Sequence, residues 1–251
     1  MGETFMNDQN IKFKATDRSW NYDILLFDAD RTLLDFDKSE LVALQKVFEE
    51  YGIEFNEELV CKYTKINHHL WDQHELGLIS RERLIYKRFE DLFVQENLKI
   101  DSVEFEDRYQ FLLSEQAFLI DGALELIKDI SKYYGVYIVT NGVKDTQMKR
   151  LVSTGIAKYV KDIFISDEIG YQKPSKEYFN IVSSRIYNFD KRRTIIIGDS
   201  LTSDIKGGNN AGVDTCWYNP LKLTQNVDVF VTFEIDSLET LREKLLDGNT
   251  I

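Results

Sequence analysis

The most restrictive feature of the sequence is the stretch Tyr22-Asp23-Ile24-Leu25-Leu26-Phe27-Asp28-Ala29-Asp30-Arg31-Thr32-Leu33-Leu34, an apolar run that ends abruptly in two carboxylates and a hydroxyl. A run this rich in Ile, Leu and Phe, without helix caps, suits a strand buried on both faces of a parallel sheet. Asp28 and Asp30 then sit at its carboxyl end, where open α/β sheets place their ligands. Aspartates that merely turn the chain would leave the same letters. The rest of the chain has to decide between the two.

At 251 residues the chain has room for one large α/β domain or a core with a modest second lobe. With 43% hydrophobic residues and two prolines, long disordered linkers are not expected. A net charge of -12 excludes a nonspecific grip on a nucleic-acid polymer, which depends on Lys and Arg displacing counterions. It leaves room for a small phosphorylated substrate, which needs one local cluster of positive charge. Cys61 and Cys216 make no disulfide framework; both read as small buried hydrophobes, and a reducing, cytoplasmic setting follows. No stretch is long and apolar enough for a membrane span, and residues 1–20 read as a polar N-terminal extension.

From Asp35 to Phe118 the pattern is helical. Asp37 and Glu40 have the spacing of a capping box ahead of Leu41, Leu44, Val47 and Phe48, and Gly52 closes that stripe. Asn56 and Ser80 open a second and a third helix, and a fourth spans about 103–118, so residues 35–118 form an α-helical lobe. From Asp121 strands and helices alternate. Strands are expected over 136–139, 162–165, 194–197, 215–218 and 227–231, and helices over 122–134, 145–154, 176–187, 204–210 and 238–246. A strand, a long helical insertion and then repeated βα units make a Rossmann-like, doubly wound α/β core, residues 21–34 and 119–251, with a helical domain inserted after its first strand.

Four polar clusters fall at strand ends or in the loops that follow: Asp28/Asp30/Thr32, Thr140/Asn141, Lys173 and Asp199/Asp204. Each alone passes for a turn or an exposed loop. Parallel strands all point the same way, so together the clusters converge on one edge. Carboxylates gathered there repel unless a cation joins them, and oxygen ligands without a suitably placed His or Cys favour Mg²⁺ over zinc. A lysine, a Thr/Asn pair and backbone N–H groups then offer donors to a phosphoryl group. The pattern points to metal-assisted phosphoryl transfer.

Asp28-Ala29-Asp30-Arg31-Thr32, Thr140-Asn141-Gly142, Lys173-Pro174 and Gly198-Asp199-Ser200-x-x-x-Asp204 resemble, in order and spacing, the four motifs of the haloacid dehalogenase superfamily. The resemblance implies an α-helical cap over the core. It makes Asp28 the nucleophile that becomes an aspartyl phosphate, and Asp30 the acid that protonates the leaving oxygen and later activates water. Thr140, Asn141 and Lys173 would bind the phosphoryl oxygens, with Lys173 also steadying Asp28. Mg²⁺ would be held by Asp28, the backbone carbonyl of Asp30 and Asp199, supported by Asp204 and Ser200. A general acid contributes about 10²–10⁴ in rate, while enzymatic phosphate-monoester hydrolysis reaches accelerations of about 10²¹. Asp30 therefore needs the nucleophile, the metal and preorganised donors beside it. Arg31 occupies a position where the superfamily usually has Gly.

Asn67-x-x-Leu70-Trp71, Gln172-Lys173-Pro174, the run from Asp204 to Gly212 and Thr215-Cys216-Trp217 look like the pyrimidine 5′-nucleotidase group of that superfamily. That likeness implies a nucleoside monophosphate substrate, canonical or not; a monomer or weak homodimer is expected. Trp71 is a candidate for stacking on the base, or else an ordinary lobe residue. His68, His69 and His74 lack the spacing of a helical zinc site, and Lys191-Arg192-Arg193 reads as a solvated turn. A sugar-phosphate phosphatase or phosphomutase would keep the same core, and a noncatalytic scaffold would leave the filled motifs idle. A haloacid dehalogenase proper needs neither Mg²⁺ nor an acid two residues after the nucleophile, so Asp30 argues against it.

Overall fold

The computed structural model describes residues 20–247, so the extension expected over 1–20 lies almost wholly outside the described residues. Trp20, its last residue, stacks on Phe233 with ring centroids 4.3 Å apart. Six strands, β1 (Ile24–Phe27), β2 (Gly135–Thr140), β3 (Asp162–Ile165), β4 (Thr194–Gly198), β5 (Asp214–Tyr218) and β6 (Phe233–Ile235), pair in parallel in the order β3-β2-β1-β4-β5-β6. This is the order of a doubly wound sheet, whose direction of winding reverses beside β1.

β1 is buried on both faces, as its composition predicts. Leu25 and Phe27 pack with Val136, Ile138, Ile195 and Ile197 under α5 (Ala123–Ile130) and α10 (Leu238–Asp247). Ile24 and Leu26 pack on the opposite face with Tyr178, Phe179 and Val182 of α8 (Lys176–Arg185). Between β1 and β2 the chain forms α1 (Phe36–Glu50), α2 (Glu57–Glu75), α3 (Arg81–Gln95) and α4 (Ser102–Ser114). These four enclose an apolar centre of their own around Phe48, Tyr63, Phe89, Phe105 and Tyr109. The excursion leaves and returns at adjacent points, for the Asp35 N–H donates to the Phe118 carbonyl at 3.0 Å and Ile120 to Leu33 at 3.0 Å. Among the described residues no helix is long and apolar enough to cross a membrane.

Asn56, Ser80 and Ser175 cap their helices as expected, each side chain accepting an N–H of the first turn. The first helix differs. Its cap is Asp35, which accepts from the Lys38 N–H at 3.0 Å, because the pairing with Phe118 fixes the chain there. Glu40 points inward instead of closing a capping box, and accepts from Tyr63 at 3.0 Å and Asn67 at 3.2 Å. The strand expected over 227–231 is also absent. Asn209 takes both backbone groups of Phe230 with its side-chain amide, and Val227, Val229 and Val231 cover Leu201, Ile205 and Trp217 as an extended flap. β6 forms two residues later. Cys216 is buried but Cys61 is exposed, on the outer face of α2. A short helix, α7 (Ser166–Ile169), follows β3, and α6 (Lys144–Ser153) follows β2. After β4 a π-turn (Leu201–Ile205) runs into α9 (Lys206–Ala211).

Candidate active site

The carboxyl ends of β1, β2 and β4 and the loop after α7 bring together the polar clusters singled out in the sequence. Lys173 is buried, and its Nζ donates to Asp28 Oδ1 at 2.5 Å, Asp204 Oδ1 at 2.7 Å and the Val139 carbonyl at 2.9 Å. An ammonium has three protons, so Lys173 is fully engaged. Asn141 holds the loop that carries it: the side-chain carbonyl accepts the Lys173 N–H at 2.9 Å, and the amide donates to the Lys173 carbonyl at 3.0 Å. Asp204 is fixed from its other side by the Ser200 N–H at 3.1 Å, and Ser200 caps the π-turn by accepting from Ser203 N–H. The Asp199 carbonyl accepts the Trp217 indole N–H at 2.8 Å.

One carboxylate oxygen from each of Asp28, Asp199 and Asp204 lies within 4.8 Å of the other two. Such crowding disfavours ionisation. Burial, reinforced by Asp204 and Asp199 against the opposing pull of Lys173, holds the Asp28 carboxyl well above the usual range. Burial and then Asp204 push Asp199 up to about 7. On Lys173, burial works against the charge, but Asp204 and Asp28 outweigh it and keep the ammonium protonated. The donor set is all oxygen and short of positive charge, the chemistry that suits a hard divalent cation.

The turn after β1 is tight, with Leu33 and Leu34 N–H groups both donating to the Ala29 carbonyl. Arg31 takes φ 58°, in the left-handed region that favours glycine. Its side chain leaves toward the helical lobe, donating from Nε to Asp37 at 2.7 Å, with the guanidinium 5.0 Å from the Phe36 ring centre. The Thr32 hydroxyl donates to Asp28 Oδ2 at 3.3 Å. Asp30, by contrast, faces α6: Oδ1 accepts from Arg150 Nη1 and Oδ2 from Gln147 Nε2, both at 2.6 Å. Gln147 also donates to the Thr140 hydroxyl at 2.9 Å, and Gly142 lets it approach, since a Cβ there would overlap the amide.

Asp28, Asp30, Arg31, Thr140, Lys173 and Asp199 line one cavity of about 340 Å³ between sheet edge and lobe. Its lobe side includes Asn67, Trp71, Glu75 and Arg88. Trp71 stands edge-on to the buried His74, with centroids 5.6 Å apart. His68 and His69 are exposed. At that wall, buried Arg88 holds buried Glu106 through Nη2 at 2.7 Å and Nε at 3.1 Å, and reaches Asn67 Oδ1 at 3.3 Å. Gln147, Arg150, Arg88 and Glu106 were missed in the sequence. Polar residues inside amphipathic helices look like solvated faces, and none adjoins a motif.

The profile of the haloacid dehalogenase-like hydrolases matches residues 25–218. The chain is 44% identical over 230 residues to the HAD-hydrolase YfnB of Bacillus subtilis, covering 92% of this chain and 98% of that protein. A crystal structure of YfnB bound to magnesium, which reveals interdomain movement, superimposes with a TM-score of 0.86 over 90% of this chain and 99% of that one. The pyrimidine 5′-nucleotidase PynA of Streptococcus pneumoniae is 39% identical over 231 residues, covering 92% of this chain and 97% of PynA. The pyrimidine 5′-nucleotidase YjjG of Escherichia coli is 33% identical over 224 residues, covering 89% and 98%.

Proposed function

The chain belongs to the haloacid dehalogenase-like hydrolases, and from that membership we propose that it is a Mg²⁺-dependent phosphatase acting on nucleoside 5′-monophosphates, pyrimidine or noncanonical, through an aspartyl phosphate. The observation that carries this reading is the buried contact of Lys173 with Asp28 beside the oxygens of Asp199 and Asp204. The nucleotide preference draws on the likeness to PynA and YjjG and on the cavity wall that includes Trp71. Residues 21–34 and 119–251 serve as the catalytic core and 35–118 as its cap, with the interdomain movement of YfnB as precedent for opening.

Lys173 and Thr32 orient the nucleophile. With Oδ1 held at 2.5 Å by the ammonium and Oδ2 at 3.3 Å from Thr32, Oδ2 is the freer oxygen of Asp28 to attack phosphorus. As the new O–P bond forms, the bond to the nucleoside oxygen breaks, and Asp30 gives that oxygen its proton. Asp30 then takes a proton from the water that attacks the acyl phosphate, releasing inorganic phosphate and restoring Asp28. The Thr140 hydroxyl, the backbone N–H of Asn141 and nearby backbone N–H groups bind the phosphoryl oxygens, while the Asn141 side chain holds the Lys173 loop in place. Asp28, Asp199 and the Asp30 backbone carbonyl would hold Mg²⁺, which when bound supplies positive charge against the carboxylates and the phosphoryl oxygens.

Phosphate release measured over a panel of nucleoside monophosphates and sugar phosphates, with Mg²⁺ or with EDTA, tests the reading. The expected result is Mg²⁺-dependent release that is fastest from nucleoside monophosphates and abolished in Asp28→Asn. Faster turnover of sugar phosphates, activity that survives EDTA, or an active Asp28→Asn would overturn it.

A further inference from the structure

Arg150 is the largest fully buried side chain of the described residues, and its guanidinium joins three parts of the chain. Nη1 donates to Asp30 Oδ1 at 2.6 Å, Nη2 to the Ser39 hydroxyl at 3.2 Å and Nε to the Gln116 carbonyl at 3.1 Å. Ser39 stands one turn into α1, where the chain has just entered the helical lobe, and its own hydroxyl donates to the Asp35 carbonyl. Gln116 lies just before Phe118, where the chain leaves the lobe. A planar fork with five donors is suited to this task, whereas a lysine at the same place could serve only part of it. Arg150 thus contacts both crossings and the carboxylate that sits one residue beyond Ala29.

We propose that Arg150 is the positioning residue for Asp30, and that through Ser39 and Gln116 it makes the direction of the Asp30 carboxylate depend on the orientation of the helical lobe. The proposal rests on the reading of Asp30 as acid and base. Each Asp30 oxygen accepts one α6 donor and keeps a second lone pair for a proton, so the two donors set the direction in which that proton points. A rotation of the lobe displaces Ser39 and Gln116 relative to α6. The guanidinium, whose Nη1 also donates to Gln147 Oε1 at 3.1 Å, then shifts its hold on Asp30 against Gln147, which Thr140 anchors to the sheet. Proton delivery is thereby tied to the lobe position that encloses the substrate.

The choice of leaving group separates this role from a merely structural one. A nucleoside oxygen must be protonated as it departs, whereas 4-nitrophenolate leaves as a stable anion. The experiment compares kcat/KM for uridine 5′-monophosphate and 4-nitrophenyl phosphate in Arg150→Met, Arg150→Lys, Ser39→Ala and Asp30→Asn, each checked by thermal melting. Losing the acid costs about 10²–10⁴, so Arg150→Met should lose about 100-fold on the nucleotide and only a few-fold on the aryl ester. Arg150→Lys should fall between it and wild type, and Ser39→Ala should show a smaller loss confined to the nucleotide. If Arg150→Met does not fold, the other two Arg150-pathway variants decide. Equal losses on both substrates in the Arg150 variants, or none, while Asp30→Asn still loses mainly the nucleotide, overturn the role of Arg150 alone. An Asp30→Asn that loses both substrates equally overturns the reading of Asp30, and the proposal with it.

Discussion

Lys173 reaches across 145 residues of sequence to place its Nζ 2.5 Å from Asp28 Oδ1. The same ammonium holds Asp204, so one cation stands against two buried carboxylates with a third, Asp199, close by. Removing one partner of a buried ion pair leaves the other uncompensated, at a cost of about 3–5 kcal/mol. Lys173→Met should therefore lower stability by that order in urea denaturation without metal, and Mg²⁺ should restore part of it. Loss of a preorganised charge beside Asp28, the proposed nucleophile, should cost about 10²–10³ in kcat. A variant with wild-type turnover would remove Lys173 from the machinery.

Removal of the proposed Mg²⁺ has a pH signature. In the unfolded chain Asp199 ionises near the ordinary carboxylate value of about 3.9, but in the fold burial and Asp204 push it up to about 7, and Asp28 is raised in the same direction. The folded protein then holds protons that the unfolded chain has released. This stability is fully present below the unfolded value and is lost as pH rises through about 7. EDTA-treated protein should melt at progressively lower temperature from pH 5 to pH 8, and added Mg²⁺ should raise the midpoint most at the alkaline end. Asp129, held down to about 2 by Lys132 and Arg242, acts in the opposite sense and only at more acid pH. A melting temperature that rises across the same interval in EDTA would contradict the electrostatics of the site.

Gly198 ends β4 directly beneath Asp204. A Cβ at this position would fall within the van der Waals radius of the Asp204 carboxylate, which cannot turn aside because Lys173 and the Ser200 N–H hold it. Gly198→Ala should cost about 1–3 kcal/mol, as overpacking does, and should weaken Mg²⁺ binding measured by calorimetry. Unchanged Mg²⁺ affinity would show that Asp204 is free to move.

Arg88 and Glu106 form the buried ion pair of the lobe, at the wall of the cavity. Burial raises the Glu106 carboxyl and Arg88 pulls it back, so neither group is comfortable without the other. Glu106→Leu should destabilise by about 3–5 kcal/mol, whereas the double change Arg88→Met with Glu106→Leu should recover most of that loss. A double-mutant cycle in urea gives the coupling. Additive losses would mean that the two charges are independent.

Much of this molecule is legible in its letters, and the reasons are local. Ile24 to Phe27 are uniformly apolar because β1 is covered on both faces, and the polar residues at the ends of parallel strands had to meet. Asn56, Ser80 and Ser175 announce their helices because a cap acts within one turn. What escaped depends on distant partners. Glu40 has capping-box spacing, but its side chain answers to Tyr63 and Asn67 on another helix. The alternating valines from 227 to 231 have the period of a strand, yet Asn209 claims the backbone of Phe230. Arg150 and Gln147 lie one turn apart on α6, and nothing near them in sequence shows that Asp30 lies opposite. Cys61 escaped for a simpler reason: a small residue between the charged positions of α2 carries no mark of the face it occupies.

The placement of β1 in the interior of the sheet also bears on how the protein is made. Ile24 pairs on one side with Gly135 and on the other with Thr194, so β1, the first strand of the described residues, leaves the ribosome with neither neighbour until the helical lobe has been synthesised, and keeps one open edge until β4 has emerged. An unpaired apolar strand is a template for aggregation. Translation of this protein therefore carries a long interval in which an apolar strand needs shielding, and slowing the ribosome between the lobe and β4 should lower the soluble yield.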